Sequence, residues 1–258
     1  MLISLTIWQY LLIGLGAFLA GGVNALAGGG TLITFPLLMV VGLPAVAANV
    51  TNTVALCPGY FGATLAQFKD LKTQKRRLWL YLPAAVVGGI TGGLLLLHTG
   101  ERTFRELVPY LILLASLLLA LGDPLRKWLN RNGAHQNTVK FLEMAGIPTV
   151  MLAAVYGGYF GAGLSVIMLA ALGVLLNDSL TKLNALKQAL ALATNVAAAV
   201  LFLFSGSVHW WAALVMAVCA LGGGLAGGKL AGIISPSVLR CVVVIIGVIV
   251  AIVYFIKG

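Results

Sequence analysis

Long apolar runs, separated by glycine, proline or charged residues, dominate the chain and predict ten helical segments. Most of the runs reach the roughly 20 residues that an α-helix needs to cross a bilayer. The segments cover residues 8–27, 30–42, 45–66, 79–98, 104–121, 142–160, 163–176, 178–205, 211–231 and 236–256. Segments 30–42 and 163–176 are too short for a full crossing at about 1.5 Å per residue. We expect these two to be half-helices, tilted short spans or arms of re-entrant hairpins.

The composition places these segments in a membrane. Hydrophobic residues make up 61% of the 258 residues and charged residues only 9%, whereas about a quarter of the residues of a typical soluble domain are charged. No charged side chain precedes Lys69, so two or three crossings come before the first charge. The pattern predicts an all-α polytopic membrane protein, embedded in the lipid bilayer and without a soluble domain.

The basic residues indicate how the chain is oriented. The formal net charge is +10, but lysine and arginine are concentrated in two short loops, 69–77 and 126–140, as the orientation signals of membrane proteins are. We therefore expect no nucleic-acid partner, and we expect both loops to lie in the cytoplasm. The loop 205–209 contains no lysine or arginine and then lies outside, as both termini do.

Cysteine usage and motifs argue against an enzyme. Cys57, Cys219 and Cys241 lie inside apolar segments without paired spacing, which is typical of small buried side chains. The glycine-rich run 222–228 has no preceding strand, so it indicates close helix packing and not nucleotide binding. No metalloprotease, phosphate-loop or nucleophile-elbow motif is found in the sequence. We expect no enzymatic activity, no metal and no cofactor.

The two halves of the chain are related by an internal repeat. Four pairs of similar segments follow one another at offsets of about 132 to 135 residues: 27–31 with 160–164, 51–53 with 183–185, 88–93 with 223–228, and 104–108 with 239–243. Each half, 1–121 and 142–258, holds five segments, and the basic loop 122–141 joins them. Because five is odd, the second half enters the membrane the opposite way round, as in many secondary transporters. If the two short segments do not cross, the halves become parallel four-helix repeats with both termini inside.

Two glycine-rich clusters, 28–31 and 161–165, precede the short segments. Glycine lets the backbone leave helical geometry, and a half-helix that starts there presents N–H donors and the positive end of its dipole. Two such termini facing each other would bind an anion without a buried formal charge. The alternative interpretation is close helix packing, for which small residues are common in membrane bundles.

Polar side chains near the clusters extend the candidate site. Asn184 and Lys187 lie on one helical face, and a lysine inside a span is a functional candidate because its burial is costly. Lys182 is nearer the start of its segment and has snorkelling to the interface as an alternative. The acidic residues fall in loops or at segment ends, which argues against carboxylate-based proton or sodium coupling. The predicted substrate-binding residues are Asn24, Gly28, Gly29, Gly30, Thr31, Asn49, Asn52, Gly161, Gly163, Ser165, Lys182, Asn184, Lys187 and Gln188.

The run 24–38, followed by Gly42-Leu43-Pro44, resembles the N-terminal signature of the TauE/SafE sulfite exporter family. The run 156–165 and the residues 182–184 resemble the second repeat of that family. The resemblance implies a bacterial or archaeal plasma-membrane transporter for sulfite, sulfonates or thiosulfate, with the two glycine clusters, Asn52 and Asn184 lining the site. The second cluster departs from the first by Ala162 and Leu164, so the site need not be symmetric.

Together these features predict a secondary transporter or facilitator that moves a small sulfur-containing anion by alternating access between inverted halves. Three other functions stay open from the sequence. They are an anion channel, a membrane-embedded sulfur-transfer or redox partner that uses a cysteine, and a structural subunit of a larger complex. A homo-oligomer is compatible with all of them.

Overall fold

The computed structural model describes the backbone of residues 5–26, 28–131, 139–176, 178–229 and 236–257. These residues form eleven α-helices and no strands, which confirms the all-helical prediction. The helices are α1 Ile7–Leu26, α2 Thr31–Val40, α3 Ala45–Ala66, α4 Phe68–Lys72, α5 Lys75–Thr99, α6 Glu101–Arg131, α7 Val139–Tyr159, α8 Leu164–Leu175, α9 Leu180–Leu203, α10 Trp210–Lys229 and α11 Pro236–Lys257. Ten of them overlap the ten apolar segments, but α6 continues to Arg131, ten residues into the predicted loop 122–141, because a helix can extend through polar residues beyond its apolar run. The additional helix, α4, is a five-residue turn in the first basic loop.

Among the described residues, five helical stretches are long and apolar enough to cross a membrane. They are Ile7–Leu26, Lys75–Thr99, Glu101–Leu121, Thr181–Leu203 and Trp210–Gly227. The outer faces of the bundle carry large apolar side chains such as Trp8, Leu152 and Val218, all more than two-thirds exposed. Such a surface is stable in hydrocarbon and not in water. The chain is therefore a multi-pass membrane protein.

Glycines bring pairs of helices into backbone contact. Helix α1 packs against α10, and α5 packs against α7. A Cβ atom added at Gly223 would collide with the carbonyl oxygen of Phe18, and one added at Gly92 would collide with that of Val155. Only glycine allows so close an approach. The interpretation of the run 222–228 as a helix-packing motif is confirmed.

The short helices α2 and α8 each run back along the helix that precedes them. At the end of α2, the carbonyl oxygen of Val41 lies 3.5 Å from Nε2 of Gln9, near the start of α1. After α8, Asp178 shares the guanidinium of Arg77 with Glu143, which lies near the start of α7. Helices α1–α2 and α7–α8 are therefore two helical hairpins. In each hairpin the short helix thus lies antiparallel to the longer helix before it.

The bundle has two distinct ends. The basic end holds residues 67–77 and the starts of α7 and α9, which meet at Arg77. The loop end holds residues 204–209 and the start of α6, where the carboxylate of Glu101 accepts hydrogen bonds from the N–H groups of Ala45 and Val46. A carboxylate at a helix N-terminus also interacts favourably with the positive end of the helix dipole. Helix α3 therefore begins at the loop end.

Candidate functional site at two crossing linkers

Two short glycine-containing linkers reverse the chain inside the bundle. We call residues 28–30 the first linker and residues 160–163 the second linker. Gly28 and Gly29 have φ angles of 81° and 94°, and Gly161 and Gly163 have φ angles of 79° and 78°. These left-handed conformations are readily adopted only by glycine. The sequence therefore needs glycine here because the chain must turn back between two helices.

The two linkers contact each other. An ideal Cβ at Gly28 would lie 2.7 Å from Cβ of Ser165, in the first turn of α8. An ideal Cβ at Gly161 would lie 4.0 Å from Oγ1 of Thr31, in the first turn of α2. Each linker thus lies against the short helix of the other half. The structure brings both predicted glycine clusters together in the buried interior.

Carboxamide side chains from α3 and α9 tie the hairpins in place across the two halves. Asn49 on α3 donates from Nδ2 to the carbonyl oxygen of Tyr159 at the end of α7, at 2.9 Å. Gln188 on α9 donates from Nε2 to the carbonyl oxygens of Asn24 and Ala25 near the end of α1, at 3.0 and 3.1 Å. Because the last carbonyls of a helix lack partners within it, each amide satisfies a helix end that belongs to the other half.

Several backbone donors that the sequence suggested for ligand binding are used within the protein. The Gly30 N–H donates to Oδ1 of Asn24 at 2.7 Å, and the Leu32 N–H donates to the Gly29 carbonyl at 2.9 Å. In the second half, the Val166 N–H donates to the carbonyl of Gly163 at 2.9 Å. The first turns of α2 and α8 are thus partly closed by their own linkers, so side chains carry more of the site than expected.

Four buried oxygen atoms have no hydrogen-bond partner among the described residues. They are Oδ1 of Asn49, Oδ1 of Asn52, Oγ of Ser165 and Oε1 of Gln188. The hydroxyl of Tyr60 lies close enough to Ser165 to interact with it, but outside normal hydrogen-bond geometry. Each unsatisfied buried group costs about 1–3 kcal/mol. All four belong to residues that contact a linker or a helix end beside one.

One lysine is buried in the middle of the bundle. Lys187 directly precedes Gln188 on α9 and is 1% exposed, the least exposed charged residue among those described. By contrast, every carboxylate whose side chain the structure describes lies in a loop or near a helix end, as the sequence indicated.

Two of the predicted site residues lie elsewhere. Lys182 is 41% exposed and forms an ion pair of 3.3 Å with Asp178. Asn184 donates from Nδ2 to Oε1 of Gln67 at 2.6 Å. Both contacts belong to the basic end. The structure thus places Asn24, Asn49, Asn52 and Gln188 against the linkers or the helix ends beside them, and it brings the two glycine clusters together. It does not bring Lys182 and Asn184 to the linkers.

Ion pairs join the elements that meet at the basic end. Arg77 contacts Glu143 at 3.2 Å and Asp178 at 2.6 Å, and Arg76 contacts Glu143 at 3.3 Å. Burial raises the pKa of Asp178, but hydrogen bonds from the Ser179 N–H, Arg77 and Lys182 outweigh this, so the pKa lies below the ordinary value for an aspartate. These pairs join the start of α7 to the end of α8.

The loop end, in contrast, contains a cavity of about 500 Å³. It is lined by residues 43, 44, 46, 47, 100, 101 and 206–209. The backbone N–H of His209, in its lining, donates to Oγ1 of Thr51 at 2.9 Å. Thr51 directly precedes Asn52, so the cavity lies next to the helix turn that reaches the first linker.

Sequence reasoning did not single out Tyr156 as a supporting residue. Its hydroxyl donates to the carbonyl oxygen of Ala162 at 2.8 Å and so holds the second linker. The available signal was its position six residues before Ala162, in a run of glycine and aliphatic residues where a buried phenol needs a partner.

Within the described residues, no group of three or more His, Cys, Asp or Glu could hold a metal ion.

Comparisons with known proteins agree with this architecture. The sequence profile of the family described as "Sulfite exporter TauE/SafE" matches residues 13–254. A "Probable membrane transporter protein" of Haemophilus influenzae is 30% identical over 232 residues, which cover 88% of this chain and 87% of the relative. The "Probable membrane transporter protein YfcA" of Escherichia coli K12 is 27% identical over 234 residues, covering 89% and 83%. No solved structure matches the chain. With a match over nearly its whole length, the chain belongs to the TauE/SafE family of membrane transporters.

Proposed function

We propose that this chain is a secondary transporter that moves a small sulfur-containing anion across the plasma membrane of a bacterium or archaeon by alternating access. The observation that carries the proposal is the buried crossing of the two glycine linkers, where Gly28 meets Ser165 and Gly161 approaches Thr31. We assign the attraction of the anion to Lys187, a buried lysine on α9, because electrostatic attraction is strong where water is excluded. We take a sulfur oxyanion as the substrate class because the family is described as sulfite exporters.

An inverted repeat supports alternating access. In the repeat, α1 corresponds to α7 and α10 corresponds to α5. Helix α1 packs on α10, and α7 packs on α5, so the two packed pairs are equivalent. The amide contacts follow the same rule, since α3 holds the end of α7 and α9 holds the end of α1. Repeats that contact each other in this reciprocal way are typical of transporters that rock about a central site.

The hairpins are consistent with opposite insertion of the two halves. Each hairpin ends at the side of the bundle where it starts, so it adds no net crossing. The three further long helices of each half then give an odd number of crossings. The contact between Gln9 and the Val41 carbonyl puts the start of α1 beside the start of α3, at the loop end. In parallel four-helix repeats α1 would begin at the opposite end, so this contact argues against them. The positive-inside rule assigns the basic end to the cytoplasm, so the loop end and both termini lie outside.

The two ends of the bundle support a carrier in preference to a channel. Ion pairs close the basic end, whereas the loop end has a cavity of about 500 Å³. An ion-paired end opposite an end with a cavity is an arrangement that alternating access can use. With a negative cell interior, each exported negative charge gains roughly 2.3 kcal/mol per 100 mV, so export of an anion needs no coupling ion.

Flux into proteoliposomes tests the proposal. The purified chain should transport sulfite, thiosulfate or sulfoacetate with a rate that saturates with concentration. Replacing Lys187 by methionine should lower the transport efficiency at least tenfold, because a charge-assisted hydrogen bond contributes about 1.5–3 kcal/mol. The matched control is Lys229→Met, since Lys229 is exposed at the end of α10, and it should transport normally.

Three outcomes contradict the proposal in different ways. Absence of saturable flux for every sulfur anion rejects the transporter function. Linear flux with single-channel currents indicates a channel instead. Unchanged flux in Lys187→Met leaves transport intact but removes the lysine from the site.

A further inference from the structure

Helices α6 and α11 pack on each other and run antiparallel. In the middle of the pair, a Cβ atom added at Gly247 would collide with Oγ of Ser116. Nearer the loop end, the ring of Tyr110 contacts the ring of Phe255, with 5.1 Å between the ring centroids. These two contacts define one register of α11 along α6.

In this register, α6 begins beyond the end of α11. Residues 101–115 of α6, fifteen in all, precede Ser116, whereas residues 248–257 of α11, ten in all, follow Gly247. At about 1.5 Å per residue, the first turn of α6 therefore projects past the end of α11 by roughly 7 Å. A cavity of about 1100 Å³ lies at this step between the two helices.

The cavity lies at the lipid-facing surface of the bundle. It is lined by residues 101–103, 105–107, 109 and 110 of α6 and by residues 254 and 255 of α11. Below it, both helices continue with exposed apolar side chains, such as Leu117 on α6 and Ile249 on α11, which are stable in hydrocarbon. Charged side chains above and aromatic rings below are typical of the membrane interface.

One positive charge in the cavity has no ion pair. Arg102 is paired with Glu106 at 3.2 Å, and both carboxylate oxygens of Glu101 accept hydrogen bonds from the start of α3. The other charged group in the lining is Arg105, which is exposed and forms no ion pair among the described residues. A guanidinium offers a planar set of N–H donors that fits a phosphate group.

We propose that this cavity binds the headgroup of an anionic phospholipid, such as phosphatidylglycerol. The lipid phosphate accepts hydrogen bonds from Arg105, and the acyl chains lie along the exposed apolar faces of α6 and α11. A soluble phosphate ester would use only the arginine, and a choline headgroup would bring a second cation beside it. The lipid site lies apart from the linkers, so it does not depend on the proposed transport function.

Native mass spectrometry of the purified chain in a non-ionic detergent tests the proposal. The probe is an equal mixture of phosphatidylglycerol and phosphatidylcholine with identical acyl chains. We expect the wild-type chain to retain one phosphatidylglycerol in preference to phosphatidylcholine. Arg105→Gln should lower the retained fraction about fivefold, the effect of one basic side chain at a membrane surface. Arg105→Lys should give an intermediate fraction, because lysine keeps the charge and loses the planar set of donors.

Arg76→Gln is the matched control. Arg76 is an arginine with 78% exposure at the start of a membrane-spanning helix, but it lies at the basic end, where it pairs with Glu143. Its replacement should leave the retention of phosphatidylglycerol unchanged. An equal loss in Arg76→Gln and Arg105→Gln would show a general attraction between basic residues and anionic lipid, and it would overturn the assignment to this cavity. Because Arg105 is exposed, its variants should melt like the wild type without added lipid.

Two further results would overturn the proposal. Equal retention of the two lipids by the wild-type chain would mean that the cavity does not recognise the headgroup charge. Complete displacement of phosphatidylglycerol by an equal concentration of glycerol-1-phosphate would mean that the site binds a soluble phosphate and not a lipid. Retention that survives this competitor and falls in Arg105→Gln supports the lipid site.

Discussion

The two hairpins reverse the chain in the same way but are fastened by opposite chemistry. In the first, the side chain of Asn24 accepts a hydrogen bond from the Gly30 N–H. In the second, the hydroxyl of Tyr156 donates to the Ala162 carbonyl. The ends of the hairpins away from the linkers also differ. Arg77 joins the second hairpin through two carboxylates, whereas the first is joined, among the described residues, by the 3.5 Å contact between Gln9 and the Val41 carbonyl.

The two hairpins therefore share the reversal at the linkers and differ in how their ends are fastened. In the proposed alternating-access cycle, the end that is held by ion pairs is the closed one. Selective changes to either hairpin can therefore separate the role of the crossing from the role of the closure.

The largest effect is expected where the linkers touch. In Gly28→Ala, the left-handed φ of 81° costs about 1–2 kcal/mol, and the new Cβ, 2.7 Å from Ser165, adds about 1–3 kcal/mol of overpacking. We expect loss of most transport and a markedly lower melting temperature in detergent.

Gly206→Ala is the matched control for that change. Gly206 also has a positive φ, 69°, but a Cβ there would meet nothing within 4 Å. Gly206→Ala should lose only the stability that the left-handed backbone conformation costs, without the cost of overpacking. Equal effects of the two substitutions would mean that the contact between the linkers contributes nothing.

The next effect concerns closure of the second hairpin. Arg77→Met leaves Glu143 and Asp178 close together without the guanidinium that joins them, so the basic end should open more often. Hydrogen exchange of backbone amides in residues 172–183 should speed up severalfold. Arg102→Met is the control, since its ion pair with Glu106 is exposed at 94% and 67%. Unchanged exchange in Arg77→Met would show that the ion pairs do not hold this end closed.

A smaller effect is expected at the fastening of the second linker. Tyr156→Phe removes the hydroxyl that donates to the Ala162 carbonyl, and leaving a buried acceptor unsatisfied costs about 1–3 kcal/mol. Thermal unfolding in detergent should report this loss. Tyr110→Phe, at a side chain 61% exposed, should leave stability unchanged, and an equal loss in both variants would contradict the role of Tyr156.

The smallest effect is the pH dependence of closure. The pKa of Asp178 is lowered in the folded protein, so its contribution to stability is present above the unfolded value of about 3.9 and disappears as the pH falls through the lowered pKa. The stability difference between the wild type and Asp178→Asn should therefore be constant at neutral pH and shrink only below about pH 4. A difference that disappears near neutral pH would contradict this sign.

Much of the fold follows from local sequence signals. Apolar runs and their glycine or proline boundaries located ten helices, and the left-handed conformations of Gly28 and Gly161 follow from the need for glycine where the chain turns. The short helix α4 was missed because a five-residue turn in a charged loop has no hydrophobic periodicity. Part of the predicted loop 122–141 lies outside the described residues.

The site was predictable only in part, for a physical reason. Lys187 and Gln188 could be selected as candidates because polar side chains inside an apolar run are costly to bury. The contact of Asn49 with Tyr159, 110 residues away, depends on tertiary packing, which no local pattern encodes. The same holds for Asn184, which shares a helical face with Lys187 but contacts Gln67 at the basic end.

Equilibrium binding of a radiolabelled sulfur anion to the purified chain in detergent tests most directly whether the crossing of the linkers is an anion site. With hydrogensulfite or 2-hydroxyethanesulfonate as the probe, we predict one saturable site per chain. Lys187→Met and Gly28→Ala should each weaken it at least tenfold, while Lys229→Met and Gly206→Ala bind normally. Undiminished binding in both site variants, or weakening in the controls to the same degree, would contradict the account.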